Sequence, residues 1–280
     1  MIVLALALAA SPPVILAVGK ERREPLTSPT VGTLRWVPSG RLHMGGPLPH
    51  GWGAPRSTAT VTKGYWVMES EVTQAMWRTV TGSNPAHYAG EASRPVEMVS
   101  WCDAVWFANA LSTGEGLEPA YHLPPGFGPG MPAAACNVSA PAVTWNQSAG
   151  GYRLPIEAEW EWAARGGQEH RYSGSDDVAA VARFRADLSF EWKPRTEPAR
   201  GLAPNAFGLH DLSGNVWEWC WTAYEGDPEG PPQAEADRGR VVRGGAAEQL
   251  PQHIEVTARA AAVAGNTDDF VGFRLVRSAP

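Results

Sequence analysis

One stretch of the chain, Asn205 to Trp219 (NAFGLHDLSGNVWEW), constrains the fold most, because it combines turn-forming residues, two acidic residues and two tryptophans. Asp211 and Glu218 supply hard oxygen ligands, and Gly214 permits a sharp turn that directs main-chain carbonyl groups inward. The pattern therefore predicts a buried corner that binds calcium. The alternative is a hairpin corner in which Asp211 and Asn215 only cap turns.

The composition favours a packed domain that is rich in loops. The chain has 280 residues, among them 30 glycines, 25 prolines and 13 tryptophans. Glycine and proline interrupt regular elements, whereas so many tryptophans are foreign to disordered chains. A chain of this length can bury a substantial core, and we expect one domain rather than two. The net charge of −6 argues against a nucleic-acid partner, which would require a basic surface.

The first seventeen residues are almost entirely apolar and resemble a cleaved secretion signal. Ala-Leu-Ala at positions 7 to 9 resembles a cleavage site, although no basic residue precedes the apolar run; the alternative is an untargeted tail. Pro12 and Pro13 make the segment a poor membrane span. We therefore predict a signal peptide at 1–17, a polar linker at 18–32 and a folded domain at 33–278. Such a protein would be secreted or periplasmic.

The three cysteines leave the disulfide state open. Cys102, Cys136 and Cys220 are widely separated, and none belongs to a CxxC motif of the kind that binds zinc. One disulfide and no disulfide are both compatible with this spacing.

Local patterns predict short strands and three helices. Alternating or β-branched stretches predict strands at 34–44, 60–68, 241–245 and 271–276. Capping signals and helical spacing predict helices at 74–80 and 101–111 and within 152–167. Residues 114–150, which are rich in glycine and proline, are predicted to form an ordered surface insertion.

Several stretches occur in an order that resembles the sulfatase-modifying factor domain of formylglycine-generating enzymes. In chain order they read EVTQAMW, PVEMVSW, RLPIEAEWEWAARGG, NAFGLHDLSGNVWEW, VVRGG and GFRLV. The resemblance covers residues 34–276 and implies a single α+β domain, a variant of the C-type-lectin fold with little regular secondary structure. It also implies a structural calcium site formed by Asp211, Gly214, Val216 and Glu218, with backbone oxygens from the glycine and the valine.

The chain departs from this family at the copper site. Aerobic members bind copper through two cysteines shortly after the RGG strand, and thiolates suit Cu(I) because both are soft. The matching positions fall here at about Gln249 and Ile254, and no cysteine follows Cys220. The resemblance therefore implies a member that lacks copper and does not oxidise cysteine to formylglycine. We assign no catalytic residue.

Two functions from different classes remain. The first is a secreted binding or scaffold module whose loops recognise a protein, peptide or glycan. The second is an oxidoreductase of another chemistry in the same cleft, with His253 and Glu248 as candidate acid–base groups. A sulfatase-activating oxidase is the least favoured. We expect the binding module, as a monomer without a membrane span.

Overall fold

The computed structural model describes residues 14–46, 57–186, 195–224 and 239–279. Its strands are short and are, in chain order, β1 (Ile15–Val18), β2 (Leu26–Ser28), β3 (Gly32–Val37), β4 (Gly40–Met44), β5 (Ser57–Val61), β6 (Tyr65–Met68), β7 (Tyr121–His122), β8 (Thr144–Trp145), β9 (Tyr152–Arg153), β10 (Trp217–Ala223), β11 (Arg240–Arg243), β12 (Arg259–Ala262), β13 (Val271–Gly272) and β14 (Val276–Ser278). The helices are α1 (Gln74–Thr81), α2 (Trp101–Gly114), α3 (Ala133–Ser139), α4 (Glu157–Arg165) and α5 (Val178–Val181).

The strands form small sheets, several of which pair strands that are far apart in the chain. A five-stranded sheet has the order β2-β3-β6-β14-β9, and a four-stranded sheet has the order β12-β11-β10-β13. Strands β1, β4 and β5 form a third sheet, and β7 pairs with β8. All of these pairs are antiparallel except β10 with β13, which run parallel. The α+β architecture with little regular structure agrees with the expectation from the sequence.

The ordered fold begins before the boundary that we predicted at residue 33. The predicted linker 18–32 contains β2, which pairs with β3 in the register Leu26↔Leu34. The segment around this strand is polar, so its pattern does not indicate a strand; Ser28 at its end accepts hydrogen bonds from the backbone N–H groups of Thr30 and Val31. Residues 1–13 of the predicted signal peptide lie outside the described residues. Strand β1 pairs with β4, so cleavage at residue 17 would remove most of a strand.

The helix starts follow the predicted capping signals. Thr73 accepts a hydrogen bond from Met76 N at the start of α1, and Gly82 ends that helix in the left-handed conformation. Ser100 and Asp103 form a capping box at the start of α2. Ile156 offers no side-chain cap to α4, and Glu159 instead accepts from the Ile156 N–H at 3.0 Å.

Tryptophans supply much of the core, as the composition indicates. Four of the largest fully buried side chains are tryptophans, namely Trp101, Trp160, Trp162 and Trp219. The insertion is ordered and is attached to α2 by a disulfide between Cys102 and Cys136. Cys220 is buried as a free thiol. Within the described part of the chain, no helix has both the length and the apolar character that a membrane span needs.

Candidate functional site

The corner between residues 205 and 219 is built on an unusual backbone. Asp211, Gly214 and Asn215 have φ angles of 60°, 80° and 64°, in the left-handed region that favours glycine. A Cβ atom on Gly214 would lie 1.9 Å from the carbonyl oxygen of Arg183. Glycine is therefore required at this position for two reasons, its conformation and the close approach of a neighbouring chain segment.

Two side chains of the corner hold a separate loop in place. Asn215 Oδ1 accepts a hydrogen bond from Glu197 N at 2.9 Å, and Asp211 Oδ2 accepts one from Arg200 N at 2.6 Å. Both side chains thus satisfy backbone donors, as the capping alternative proposed. The donors, however, belong to the segment before the corner rather than to its own turns.

The carboxylate of Glu218 is buried and fully occupied by donors. Its Oε1 accepts hydrogen bonds from Arg274 Nε and Nη2 at 3.0 and 2.7 Å. Its Oε2 accepts from Arg274 Nε at 2.8 Å and from Trp160 Nε1 at 2.7 Å. A carboxylate offers about four lone-pair positions, and three N–H groups, of which Arg274 Nε is shared between the two oxygens, occupy both oxygens of Glu218. Arg274 also neutralises its charge.

A second buried acid, Glu71, lies beside this pair. Asn215 Nδ2 donates to Glu71 Oε1 at 3.0 Å, and Glu71 Oε2 has no hydrogen-bond partner among the described residues. Burial and the negative charges of Asp211 and Glu218 raise the pKa of Glu71 well above its usual range. Burial also raises the pKa of Asp211.

The predicted calcium ligands do not fit the ion as they stand. Calcium takes six to eight oxygen ligands, but Arg274 already fills the coordination positions of Glu218. No group of three or more acidic, histidine or cysteine side chains converges on a metal-binding point in the described part of the chain. Calcium binding by Asp211, Gly214, Val216 and Glu218 is therefore an untested expectation of the family resemblance, and it would require Arg274 to release Glu218.

The positions that correspond to the copper cysteines lie in the loop after β11. Ile254 is fully buried in an apolar cluster with Tyr172, Val181 and Ala182. Gln249 is half-buried, and its carbonyl oxygen accepts a hydrogen bond from Arg185 N at 2.7 Å. An apolar side chain and a neutral amide cannot replace two thiolates as ligands of Cu(I).

Several acidic side chains lie near one another beside this loop. Tyr88 Oη donates a hydrogen bond to Asp269 Oδ2 at 3.2 Å. Glu248 is exposed at its surface, but partial desolvation still raises its pKa, and the negative charges of Asp268 and Asp269 raise it further. Burial and the Asp269 carboxylate likewise raise the pKa of Tyr88.

A comparison with protein families identifies the family of this chain. The model of the sulfatase-modifying factor enzyme 1-like domain matches residues 21–279. The chain belongs to this family. The expectation drawn from the ordered motifs is thereby confirmed, and the sulfatase-modifying factor domain includes most of the segment that we expected to be a linker.

Relatives of this sulfatase-modifying factor domain carry different names. A chaperone protein named LppX from Paenibacillus barcinonensis is 35% identical over 231 residues, which cover 76% of this chain and 80% of that protein. A formylglycine-generating enzyme from Thermomonospora curvata is 29% identical, with coverage of 79% and 67%. The solved structure of Treponema denticola variable protein 1 superposes with a TM-score of 0.77 at 28% identity, over 92% of this chain and all of that one.

Several residues of the site were missed in the sequence. Arg274 lies within the GFRLV motif, but a single arginine there does not indicate that its partner is Glu218. Tyr88 and Asp269 are 181 residues apart, and neither belongs to a recognisable pattern. Of the acid–base candidates, Glu248 is exposed and lies near Asp268 and Asp269, and His253 is half-buried in the loop beside Ile254.

Proposed function

We propose that this sulfatase-modifying factor domain is an exported, monomeric binding module of chaperone type rather than an oxidase. The observation that carries the proposal is the burial of Ile254 in an apolar cluster at the second copper position. A side chain without donor atoms there cannot help to activate oxygen at a copper ion. The loop instead serves to pack the domain.

The relative named as a chaperone protein supports a role in binding polypeptides, because it shares the domain over most of both chains. A partly unfolded polypeptide is the ligand class that we propose. Export is supported by the apolar first residues and by the Cys102–Cys136 disulfide, since disulfides persist in oxidising compartments.

The test compares turnover with binding. Purified protein is loaded with Cu(I) and incubated with a cysteine-containing sulfatase peptide, with the Thermomonospora curvata enzyme as positive control. In parallel, light scattering follows the aggregation of chemically unfolded citrate synthase after dilution, with serum albumin as negative control.

We expect no formylglycine by mass spectrometry and a concentration-dependent decrease in aggregation that albumin does not give. Formation of formylglycine would overturn the proposal. Aggregation indistinguishable from the albumin control would refute the chaperone role.

A further inference from the structure

A groove of the fold is lined by neither Gln249 nor Ile254. It runs between the turn that joins β5 to β6, the segment after β8, the start of α4 and strand β14, and its volume is about 290 Å³. Ligand sites usually measure about 300–1,000 Å³, so this groove suits a small unit such as one ring rather than a folded partner.

The floor of the groove contains one positive and one negative side chain, whose charges cancel. Arg153 forms two hydrogen bonds to the carboxylate of Glu159, at 2.6 and 2.8 Å, and its Nε donates to Ser278 Oγ at 3.0 Å. This arginine is buried, with a relative exposure of 3%. Because the two charges compensate each other at short distance, the floor does not select strongly for an anion or a cation.

One wall of the groove is a tryptophan ring whose orientation is fixed. The Arg153 guanidinium lies 4.7 Å from the centroid of Trp145, a cation–π distance. The ring of Trp221 meets Trp145 at 6.1 Å and 67°. Trp145 is half-buried and lines the groove. A ring held by two neighbours loses little further freedom when a ligand stacks on it.

The rim of the groove is polar and exposed. Thr60 comes from β5, Thr62 and Lys63 come from the turn after it, and Gln147 lines the groove from the segment after β8. These side chains offer hydroxyl, ammonium and amide groups, which include both donors and acceptors. Hydrogen-bonding groups therefore surround an aromatic surface within one small concavity.

We infer that this groove binds a sugar ring of a glycan. A pyranose has an apolar face of C–H groups that stacks on an aromatic ring, and hydroxyl groups at its edge that need mixed donors and acceptors. The part of the Trp145 ring that lines the groove supplies the first requirement, and the exposed rim supplies the second. The inference is independent of the chaperone proposal, because it rests on the lining of this groove and not on the burial of Ile254.

The test begins with a glycan array probed with the fluorescently labelled protein. The strongest hit is then titrated by isothermal calorimetry against wild type, Trp145→Ala, Gln147→Ala and Trp106→Ala. Trp106 is the matched control, because it is a half-buried tryptophan on α2 that does not line the groove. Thermal unfolding of each variant verifies that it is folded.

We expect Trp145→Ala to weaken binding at least tenfold and Gln147→Ala to weaken it several-fold, with Trp106→Ala within twofold of wild type. Gln147 is exposed, so its loss leaves the fold intact even if Trp145→Ala unfolds. An array without hits would overturn the inference. So would binding that both groove variants retain, or a groove that binds peptides but no glycan.

Discussion

At the scale of single residues, the buried pair of Glu218 and Arg274 dominates the corner. We predict that Arg274→Met lowers the free energy of unfolding by about 3–5 kcal/mol, because it leaves the Glu218 carboxylate buried without its counter-charge. Urea denaturation followed by tryptophan fluorescence measures the loss.

The matched control for this substitution is Arg277→Met. Arg277 is three positions further along the chain, and its Nε donates to the carbonyl oxygen of Gly150 at an exposed site. Its loss should cost about 1 kcal/mol or less. Equal losses for the two variants would show that Glu218 does not depend on its ion pair.

At the scale of elements, the corner before β10 depends on one glycine. We predict that Gly214→Ala destabilises the protein by about 3 kcal/mol or more, because the new methyl group would meet the Arg183 carbonyl oxygen at 1.9 Å. Gly82→Ala is the control, since Gly82 has a φ of 75° but no atom within 4 Å of a Cβ.

The control variant should cost about 1–2 kcal/mol, from backbone strain alone. The midpoint of thermal unfolding compares the two proteins. If Gly82→Ala were as damaging as Gly214→Ala, the close contact with Arg183 would not matter for stability.

The sequence predicted elements where the cause was local and failed where the cause was distant. Thr73 and Ser100 indicate the starts of α1 and α2, because an N-cap side chain bonds a backbone N–H only three residues later. The contact of Arg274 with Glu218 spans 56 residues, and that of Asn215 with Glu71 spans 144. Such pairs are created by packing. The sequence therefore located the corner but could not show that Arg274 contacts Glu218 or that Asn215 contacts Glu71. Strand β2 was missed for the same reason, because only its pairing with β3 reveals it.

At the scale of the whole molecule, calcium would show itself as added stability. Since Arg274 fills the coordination positions of Glu218, we predict that adding calcium to EDTA-treated protein leaves the melting temperature unchanged within about one degree. Differential scanning calorimetry with magnesium as the control ion measures this. A rise that is specific to calcium would show that the ion displaces Arg274 from Glu218.

Strand β14 has a consequence for how the protein is made. It lies between β6 and β9 in the five-stranded sheet, and its partner residues Val67 and Arg153 precede Val276 by a large part of the chain. The sheet therefore cannot close until residues 276–278 have left the ribosome, and earlier segments must wait without their central neighbour.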